Sequence, residues 1–264
     1  MSIAVIGLGS VGSRVLGEMR GRLGTKEIVV GFDTDADAVR RMSGFGAVGR
    51  LEGPFDTYVI CVRTTEQVFD VLGSIDYGRK PLVCVESTIE PGSETKMAET
   101  VLGRGGDFVL CPHRFCEGDP EHGIFNQKRL IAGADKGSFR RGLHFYSKFI
   151  DRKLIVETDI RHAALSKVVE NSMRFLEIAA AEELMTLCIK SGYDFGELRR
   201  CANTKWNIDI KEARKGIGGT CLPKDVGIFN DLFEGNVLFS AAYRIDSSYK
   251  KLVKSHGKVP SKKS

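Results

Sequence analysis

The sequence contains no apolar run that approaches the roughly 20 residues needed to cross a lipid bilayer. It also lacks the basic start and longer apolar region of a secretory signal, since residues 1–8 lead straight into a strand-like pattern. The seven cysteines are odd in number and do not follow the spacing of a disulfide framework. These absences predict a cytoplasmic protein with free thiols and no membrane partner.

Aromatic residues are missing where a nucleic-acid-binding surface would need them. The net charge is +5, and much of the positive charge lies near the C-terminus, where no aromatic residue follows Val253. The lysines concerned are Lys250, Lys251, Lys254, Lys258, Lys262 and Lys263. Nucleic-acid-binding patches usually combine lysines with arginine and aromatic residues. We therefore expect a solvated basic tail over residues 256–264 and no nucleic-acid partner.

The first half of the chain alternates short β-branched runs with longer amphipathic stretches. The runs are nearly continuous in apolar residues, which is typical of parallel strands covered on both faces. The predicted strands are Ile3–Gly7, Glu27–Asp33, Thr57–Val62, Pro81–Glu86, Asp107–Cys111 and Arg129–Gly133. A helix over Ser10–Leu23 joins the first two strands and ends at Gly24. The pattern predicts an α/β fold, a Rossmann-type doubly wound parallel sheet over residues 1–155.

After about Thr158 the pattern becomes helical. Apolar residues recur at three- and four-residue steps through Asp159–Lys190, which predicts one helix about 45 Å long. Further helices are predicted at Asp194–Ala202, Lys224–Phe233 and Val237–Val253. Residues 156–255 are therefore predicted to form an all-helical domain. Because so long a helix usually packs against more than its own domain, we expect a homodimer that forms through residues 159–190.

The segment Gly7-Leu8-Gly9-Ser10-Val11-Gly12 follows the first strand and opens a helix, as in dinucleotide-binding proteins. Gly7 permits a tight turn, Gly9 lets a pyrophosphate approach the backbone, and Gly12 lets helix and strand pack closely. The helix N-terminus, at Ser10 and Val11, offers N–H groups to the phosphates. Asp33, at the end of the second strand, is predicted to bind the ribose hydroxyls and repel a 2′-phosphate. The predicted cofactor is therefore NAD.

A second glycine-rich segment, residues 216–225, carries a cysteine at the start of a predicted helix. Pro223 suits the first turn of that helix. Cys221 stands near the helix N-terminus and Lys224, and both surroundings favour a thiolate. Four other cysteines are interpreted as small buried apolar residues, namely Cys61, Cys84, Cys188 and Cys201. Cys221 is therefore the predicted nucleophile.

The segment G-G-T-C-L-P-K-D, residues 218–225, resembles the active-site signature of the nucleotide-sugar dehydrogenases, the UDP-glucose and GDP-mannose dehydrogenase family. Residues 86–92 are similar to its S-T-V-x-P-G turn, and residues 111–118 to its P-E-F-L-x-E-G segment. Lys167 and Asn171, followed by Glu182 and Glu183, resemble its K-x-x-x-N helix and the N-E pair beyond it. The resemblance runs from residue 1 to about residue 250.

This resemblance implies oxidation of a primary alcohol, on a sugar or sugar nucleotide, in two hydride steps. Asp225 and Lys167 would hold the water that assists proton removal, and Cys221 would trap the aldehyde as a thiohemiacetal. Lys167 and Asn171, one helical turn apart, would stabilise the charge that develops on the oxygen. A thioester would then be hydrolysed. The remaining positions implied to contact cofactor, water or substrate are Thr64, Thr88, Arg114, Phe115, Glu117 and Lys224.

The chain departs from the family pattern in two ways. His113 stands where the P-E-F-L segment has its glutamate, and a histidine with a pKa near neutrality can also act as a general base. The sequence also ends where the family's third, nucleotide-binding domain would begin, so we expect either a partner chain, a smaller substrate, or binding by the two domains alone.

Three other interpretations are open at this point. The chain fits a two-electron alcohol or hydroxyacid dehydrogenase that uses Lys167 as acid and base. It also fits a non-catalytic, NAD-binding subunit that needs a partner. Cys111, His113, Cys116 and His122 are possible zinc ligands. Their spacing is not that of a common zinc finger and Pro112 restricts the loop, so we predict no metal.

Overall fold

One mixed sheet of eight strands organises the first part of the chain. The protein is described here from a computed structural model, which covers residues 1–115, 119 and 121–256. The strands are β1 Ser2–Ile6, β2 Ile28–Phe32, β3 Ala47–Val48, β4 Thr57–Ile60, β5 Leu82–Val85, β6 Asp107–Leu110, β7 Arg129–Gly133 and β8 Ile155–Glu157. Their order across the sheet is β3-β2-β1-β4-β5-β6-β7-β8. This order, in which the chain steps outward from β1 in both directions, is that of a Rossmann-type fold.

Within the described residues, five helices accompany the sheet and four follow it. The first group comprises α1 Ser10–Leu23, α2 Ala36–Arg41, α3 Thr65–Ser74, α4 Glu94–Gly103 and α5 Lys136–Tyr146, with 3-10 turns at Ser43–Phe45 and Arg152–Leu154. The second group comprises α6 Ile160–Ser191, α7 Phe195–Ala202, α8 Cys221–Leu232 and α9 Leu238–His256. The chain divides into two compact units, Met1–Lys167 and the residues from Val168 onward. The expected boundary near residue 155 stays a prediction.

The sheet is buried on both faces, which explains why its strands are almost uninterrupted in apolar residues. Ile3 and Val5 of β1 belong to one apolar core, whereas Ala4 and Ile6 belong to the core on the opposite face. Successive side chains of a strand point to opposite faces, so a strand covered on both sides must be apolar at every position. The predicted α/β class and doubly wound sheet are confirmed.

The strand β7 departs from the predicted parallel arrangement. It pairs antiparallel with β6, through Val109 opposite Gly133 and Leu110 opposite Ala132, while β8 runs parallel to β7. Parallel neighbours need a crossover, usually a helix. The described residues between β6 and β7 contain no helix, so the chain returns along the sheet in the opposite direction.

The second unit is helical, as predicted, and has its own small apolar core. Phe175 and Ala179 of α6 pack there with Val226 of α8, Ala242 of α9 and the loop residue Ile217. The long helix α6 begins after Asp159, whose carboxylate accepts N–H hydrogen bonds from Arg161 and His162. No helix in the described part of the chain has both the length and the apolar composition to span a bilayer.

Candidate active site

The glycine-rich loop between β1 and α1 has the backbone that the sequence predicts. Gly7 has a φ of 89°, and a Cβ added there would lie 2.7 Å from the carbonyl oxygen of Cys61. A Cβ at Gly12 would lie 1.8 Å from the carbonyl oxygen of Gly7, so close packing requires glycine there as well. Gly9 differs, because a Cβ there would meet no atom within 4 Å. Its bare backbone faces open space.

Asp33 connects the end of β2 to this loop. One of its carboxylate oxygens accepts a hydrogen bond from the N–H of Leu8 at 2.6 Å, and the other accepts from Asp35 at 2.9 Å. The carboxylate is therefore fixed beside the glycine turn, where a dinucleotide's ribose is bound in Rossmann folds. The free space at Gly9, the helix start at the exposed Ser10 and half-buried Val11, and this carboxylate together fit a dinucleotide.

Thr64 and Thr88 follow the neighbouring strands β4 and β5. The hydroxyl of Thr64 accepts a hydrogen bond from the N–H of Gln67 at 3.3 Å, and the side-chain oxygen of Gln67 accepts one from the N–H of Thr64 at 3.2 Å. Thr64 thus begins α3 with a capping box. Thr88 is half-buried three residues beyond the end of β5. Both threonines lie past the carboxyl ends of parallel strands, where ligands of such sheets bind.

A fully buried ion pair lies at the same edge of the sheet. Glu86, just after β5, contacts Arg129 of β7 with 3.0 Å between Oε2 and Nη2. The other oxygen of Glu86 accepts a hydrogen bond from the hydroxyl of Tyr146 at 2.9 Å. Arg129 also donates to the carbonyl oxygen of Cys111 at 2.8 Å and to that of Ile124 at 3.3 Å. Burial alone would lower the pKa of Arg129, but Cys111 and Glu86 raise it, so the guanidinium keeps its charge.

His113 packs against this pair. Its Nδ1 accepts a hydrogen bond from the N–H of Phe115 at 2.8 Å, and its Nε2 lies 3.6 Å from Oε2 of Glu86. Burial, then the charges of Arg129 and Lys167, hold the pKa of His113 well below its ordinary value. The ring is therefore neutral at physiological pH. With Nδ1 occupied and Nε2 directed at Glu86, the ring would have to turn before it could accept a proton from water.

Three residues near His113 were predicted to contact substrate or water. Arg114 donates to the carbonyl oxygen of Lys128 at 3.1 Å. The ring of Phe115 lies 6.0 Å from the guanidinium of Arg14 on α1, a cation–π distance. Glu117, which the sequence assigns to the site, lies outside the described residues, and so does Cys116.

Cys221 is the first residue of α8 and its side chain is exposed. Thr220 precedes it as the N-cap residue, and the segment before that is bent by two glycines of positive φ, Gly216 and Gly219. The predicted helix start at Lys224 was three residues late, because Pro223 is accommodated in the first turn. The thiol therefore stands at a helix N-terminus, where the N–H groups and the dipole favour an anion.

Asp225 lies one turn after Cys221 on α8 and is fully buried. Its Oδ2 accepts a hydrogen bond from the side-chain amide of Asn171 at 2.5 Å, and its Oδ1 lies 3.3 Å from Nζ of Lys224. The backbone carbonyl of Asp225 also faces the hydroxyl of Ser172 at 3.5 Å. The structure thus brings together three of the predicted residues of the second unit. Lys167 is half-buried on α6, one turn before Asn171.

The possible zinc ligands do not form a cluster among the residues whose positions are described. Cys111 is buried, and its sulfur lies 3.1 Å from Nη2 of Arg129. Burial raises the pKa of its thiol to about 11. His122 is paired instead with Asp119, with 2.9 Å between Nδ1 and the carboxylate.

Sequence reasoning missed the roles of Glu86, Arg129 and Tyr146. Glu86 entered it only as the end of a predicted strand and as part of a turn motif, and Arg129 only as the start of a strand. A signal was present, since both are charged residues that border apolar strand runs. A buried charge needs a partner. Which residues pair could be known only from the order of the strands.

The chain matches known proteins in sequence and structure. Residues 161–243 match the model of the UDP-glucose/GDP-mannose dehydrogenase family, central domain. The chain is 32% identical over 171 residues to a UDP-N-acetyl-D-mannosamine dehydrogenase of Pyrococcus horikoshii, an alignment that covers 62% of this chain and 39% of that protein. The chain therefore matches well under half the length of this relative.

Two solved structures are similar over nearly the whole chain. A UDP-D-ManNAc dehydrogenase from Pyrococcus horikoshii superposes with a TM-score of 0.83 at 25% identity, over 97% of this chain and 70% of that one. A 3-hydroxyisobutyrate dehydrogenase of Mycobacterium tuberculosis superposes with a TM-score of 0.70 at 16% identity, over 98% of this chain and 95% of that one. The second likeness concerns the fold alone.

Proposed function

The chain belongs to the nucleotide-sugar dehydrogenase family, and we propose that it oxidises a primary alcohol of a sugar nucleotide to a carboxylate with NAD as hydride acceptor. One observation carries this proposal. Cys221 opens α8, and Asp225, four residues later on the same helix, is hydrogen-bonded to Asn171. Residues four apart share a helix face, so a nucleophile and a buried, hydrogen-bonded carboxylate stand side by side. A protein that only bound NAD would have no physical need for this set.

The first unit is proposed to hold the cofactor. The backbone at Gly9, with the N–H groups at the start of α1, binds the pyrophosphate, and Asp33 binds the ribose hydroxyls. Bound NAD would accept one hydride in each of two oxidation steps. Because a carboxylate repels a 2′-phosphate, NAD should bind at least about tenfold more tightly than NADP. Titration calorimetry with the two cofactors tests this preference, and equal affinities would contradict the role of Asp33.

Cys221 is proposed to act on the aldehyde formed in the first step. Its thiolate adds to the carbonyl carbon, and the oxygen of the new thiohemiacetal takes up negative charge and then a proton. Lys167 and Asn171 stabilise that oxygen. After the second hydride leaves the same carbon, water attacks the thioester, breaks the C–S bond and returns the thiol. One alcohol and one water thus yield one carboxylate, two hydrides and three protons.

Asp225, together with Lys167, is proposed to hold the water used in these steps. Its Oδ1 is buried, close to Lys224, and accepts no hydrogen bond from any residue that the structure describes. A water molecule bound there would satisfy this oxygen and lie one turn from Cys221. That His113 acts as general base stays a prediction, with the requirement that Nδ1, the basic nitrogen of the neutral ring, is released from the N–H of Phe115.

The test is the number of NADH molecules formed per molecule of substrate, measured with a panel of UDP- and GDP-sugars. UDP-N-acetyl-D-mannosamine is tried first, since the relative from Pyrococcus horikoshii bears that name, and UDP-glucose next. We expect two NADH per substrate in the wild type and in Cys201→Ser, whose cysteine is also exposed. Cys221→Ser should lose the second NADH.

Other outcomes would replace the proposal. One NADH per substrate with Cys221→Ser unimpaired would indicate a two-electron alcohol dehydrogenase. No turnover across the panel, with NAD still bound, would indicate a subunit that requires a partner.

We also propose that two copies of the chain associate through α6. Met173 (45%) and Leu187 (51%) are exposed and, fourteen residues apart, lie on nearly the same face of this helix, whereas the exposed Ile189 (38%) lies on the opposite face. A second copy can cover Met173 and Leu187 with the same surface, as in most homodimers. Sedimentation analysis should give a dimer for the wild type and for Leu102→Lys, and a monomer for Leu187→Lys. A monomeric wild type would contradict this arrangement.

A further inference from the structure

The second unit contains a buried carboxyl group that the proposed reaction does not use. Glu182 on α6 is completely buried, and among the residues described neither of its carboxylate oxygens has a hydrogen-bond partner. Burying an ionised carboxylate in this way is costly, so such a group usually takes up a proton or has a specific role. Its neighbours on α9 indicate what that role is.

Asp246 on α9 is nearly buried and holds the loop that leads to Cys221. One carboxylate oxygen accepts a hydrogen bond from the backbone N–H of Ile217 at 2.8 Å, and the other accepts from Nζ of Lys250 at 2.7 Å. Ile217 is buried in the core of the unit, four residues before Cys221. A charged acceptor makes this backbone hydrogen bond stronger than one to a neutral group.

The same helix contacts the loop at two more places. Gly216 has a φ of 98°, and a Cβ placed there would lie 2.4 Å from the side chain of Lys250, which shows how closely that side chain covers the backbone. The hydroxyl of Tyr249 donates to the carbonyl oxygen of Arg214 at 2.9 Å. Three contacts, at residues 214, 216 and 217, therefore fix the path of the chain before Cys221.

The charge around Glu182 comes from this helix. The groups that face it are the carboxyl of Asp246, the ammonium of Lys250 and the phenol of Tyr249. Burial first, and then the charge of Asp246, raise the pKa of Glu182 to about 7, against the opposing effect of Lys250. Near neutrality the carboxyl groups of Glu182 and Asp246 therefore carry one or two negative charges between them, beside the positive charge of Lys250.

We propose that Glu182 and Asp246 are positioning residues for Cys221. Asp246 and Lys250 hold the backbone of Ile217 and Gly216, and the protonation state of Glu182 determines how strongly Lys250 pairs with Asp246. While Glu182 carries a proton, Lys250 pairs with Asp246 alone. When Glu182 ionises, the second negative charge competes for Lys250, and the loop before Cys221 loosens. The inference rests on the proposed function only in taking Cys221 as the nucleophile.

The test uses two readouts that need neither cofactor nor substrate. Amide hydrogen exchange of the peptide containing Ile217, and alkylation of Cys221 by iodoacetamide followed by peptide mass spectrometry, are measured on the full chain across the neutral pH range. Glu182→Gln is compared with Glu183→Gln, whose glutamate is exposed on the same helix. Asp246→Asn is a second variant, because it keeps an acceptor for Ile217 but removes the charge that holds this N–H and Lys250.

At about pH 8 the peptide of wild type and of Glu183→Gln should exchange about threefold or more faster than that of Glu182→Gln. At about pH 5.5, where Glu182 is protonated, these three proteins should agree. Asp246→Asn, which lacks the charged acceptor for Ile217, should exchange faster than Glu182→Gln at both pH values. The alkylation profile of Cys221 should contain a step near pH 7 in wild type that Glu182→Gln loses. Identical profiles in wild type and Glu182→Gln would overturn the inference, whether or not the chain oxidises any sugar nucleotide.

Discussion

The side-chain amide of Asn171 donates a hydrogen bond to the carboxylate of Asp225, although 54 positions separate the two residues in the chain. The acceptor is fully buried and its other oxygen lies 3.3 Å from Nζ of Lys224. A side-chain amide can adopt two orientations, in which its oxygen and nitrogen exchange places. The carboxylate, which can only accept, fixes the nitrogen of Asn171 toward α8 and thereby determines how the amide is oriented.

Replacing Asp225 by asparagine should therefore impair the reaction more than the fold. We expect kcat for NADH formation to fall about 100-fold or more, with a change in KM below about threefold, because the substituted group can hold neither the water nor the amide in the same way. The free energy of unfolding should fall by about 1–3 kcal/mol. Steady-state kinetics and urea titration measure the two effects. Asp231→Asn, exposed on the same helix, is the control. A variant at position 225 with wild-type kcat would remove Asp225 from the mechanism.

Substitution by alanine should reduce stability at Gly12 but reduce NAD affinity at Gly9. Gly12→Ala places a Cβ 1.8 Å from a backbone oxygen, so we expect unfolding to become easier by more than about 2 kcal/mol. Gly9→Ala meets no atom within 4 Å, so the unliganded protein should be as stable as wild type, while NAD affinity falls about tenfold or more because the methyl group occupies the space of the pyrophosphate.

Thermal unfolding without cofactor and calorimetric titration with NAD separate the two cases. Gly21→Ala serves as the matched control, because it lies on α1 and its Cβ also meets nothing within 4 Å. It should bind NAD normally and gain up to about 1 kcal/mol, since alanine is the better helix former. If Gly9→Ala bound NAD as tightly as Gly21→Ala, the pyrophosphate would have to lie elsewhere.

The ion pair between Glu86 and Arg129 should be essential to the first unit. Glu86→Gln leaves a buried guanidinium without its counter-charge, and we expect a loss of about 3–5 kcal/mol in the free energy of unfolding. Glu90→Gln, four residues further and exposed, should change stability by less than about 0.5 kcal/mol. Guanidinium titration of both variants measures the difference. Similar midpoints for the two would mean that Arg129 finds another partner.

The ionisation of Glu182 should make stability depend on pH in a direction unusual for a carboxyl group. Its pKa is raised to about 7 in the folded chain, mainly by burial and the charge of Asp246. Between about pH 4.5 and 7 the folded chain therefore binds a proton that the unfolded chain releases, so stability falls as pH rises through this window. Glu182→Gln should abolish this decline, with a gain of about 1–3 kcal/mol over wild type by about pH 8. Denaturant titrations across this pH range, with Glu183→Gln as control, measure the free energy of unfolding. A difference between wild type and Glu182→Gln that stayed constant with pH would contradict the assignment.

The regular elements were largely predictable because local and tertiary preferences agree. The helix Ser10–Leu23 was predicted to the residue, since a glycine turn precedes it and Gly24 ends it. The helix Phe195–Ala202 was predicted within one residue, because Asp194 caps it through the N–H of Glu197. The short strands β3 and β8 were not predicted. Two or three residues carry too little periodicity to be recognised, and these strands form only because a neighbouring edge is available.

The candidate site was predictable only where a motif is contiguous in sequence. Gly9, Asp33 and Cys221 were identified from their place in such motifs, and the structure gives each of them a definite position. The surroundings of His113 could not be foreseen. Its pKa is lowered first by burial and then by the charge of Arg129, sixteen residues away in sequence, and Arg129 reaches it only because β7 turns back antiparallel beside β6. Side-chain partners that depend on strand order lie beyond any local pattern.

The buried pair at positions 86 and 129 also constrains how this sequence can evolve. Either residue changed alone leaves an unsatisfied charge inside the sheet, whereas the joint replacement of both by apolar residues of similar size is tolerated by the physics of burial. Substitutions at positions 86 and 129 should therefore be accepted together. In homologous sequences, Glu86 and Arg129 should therefore covary, so that both are present or both are absent.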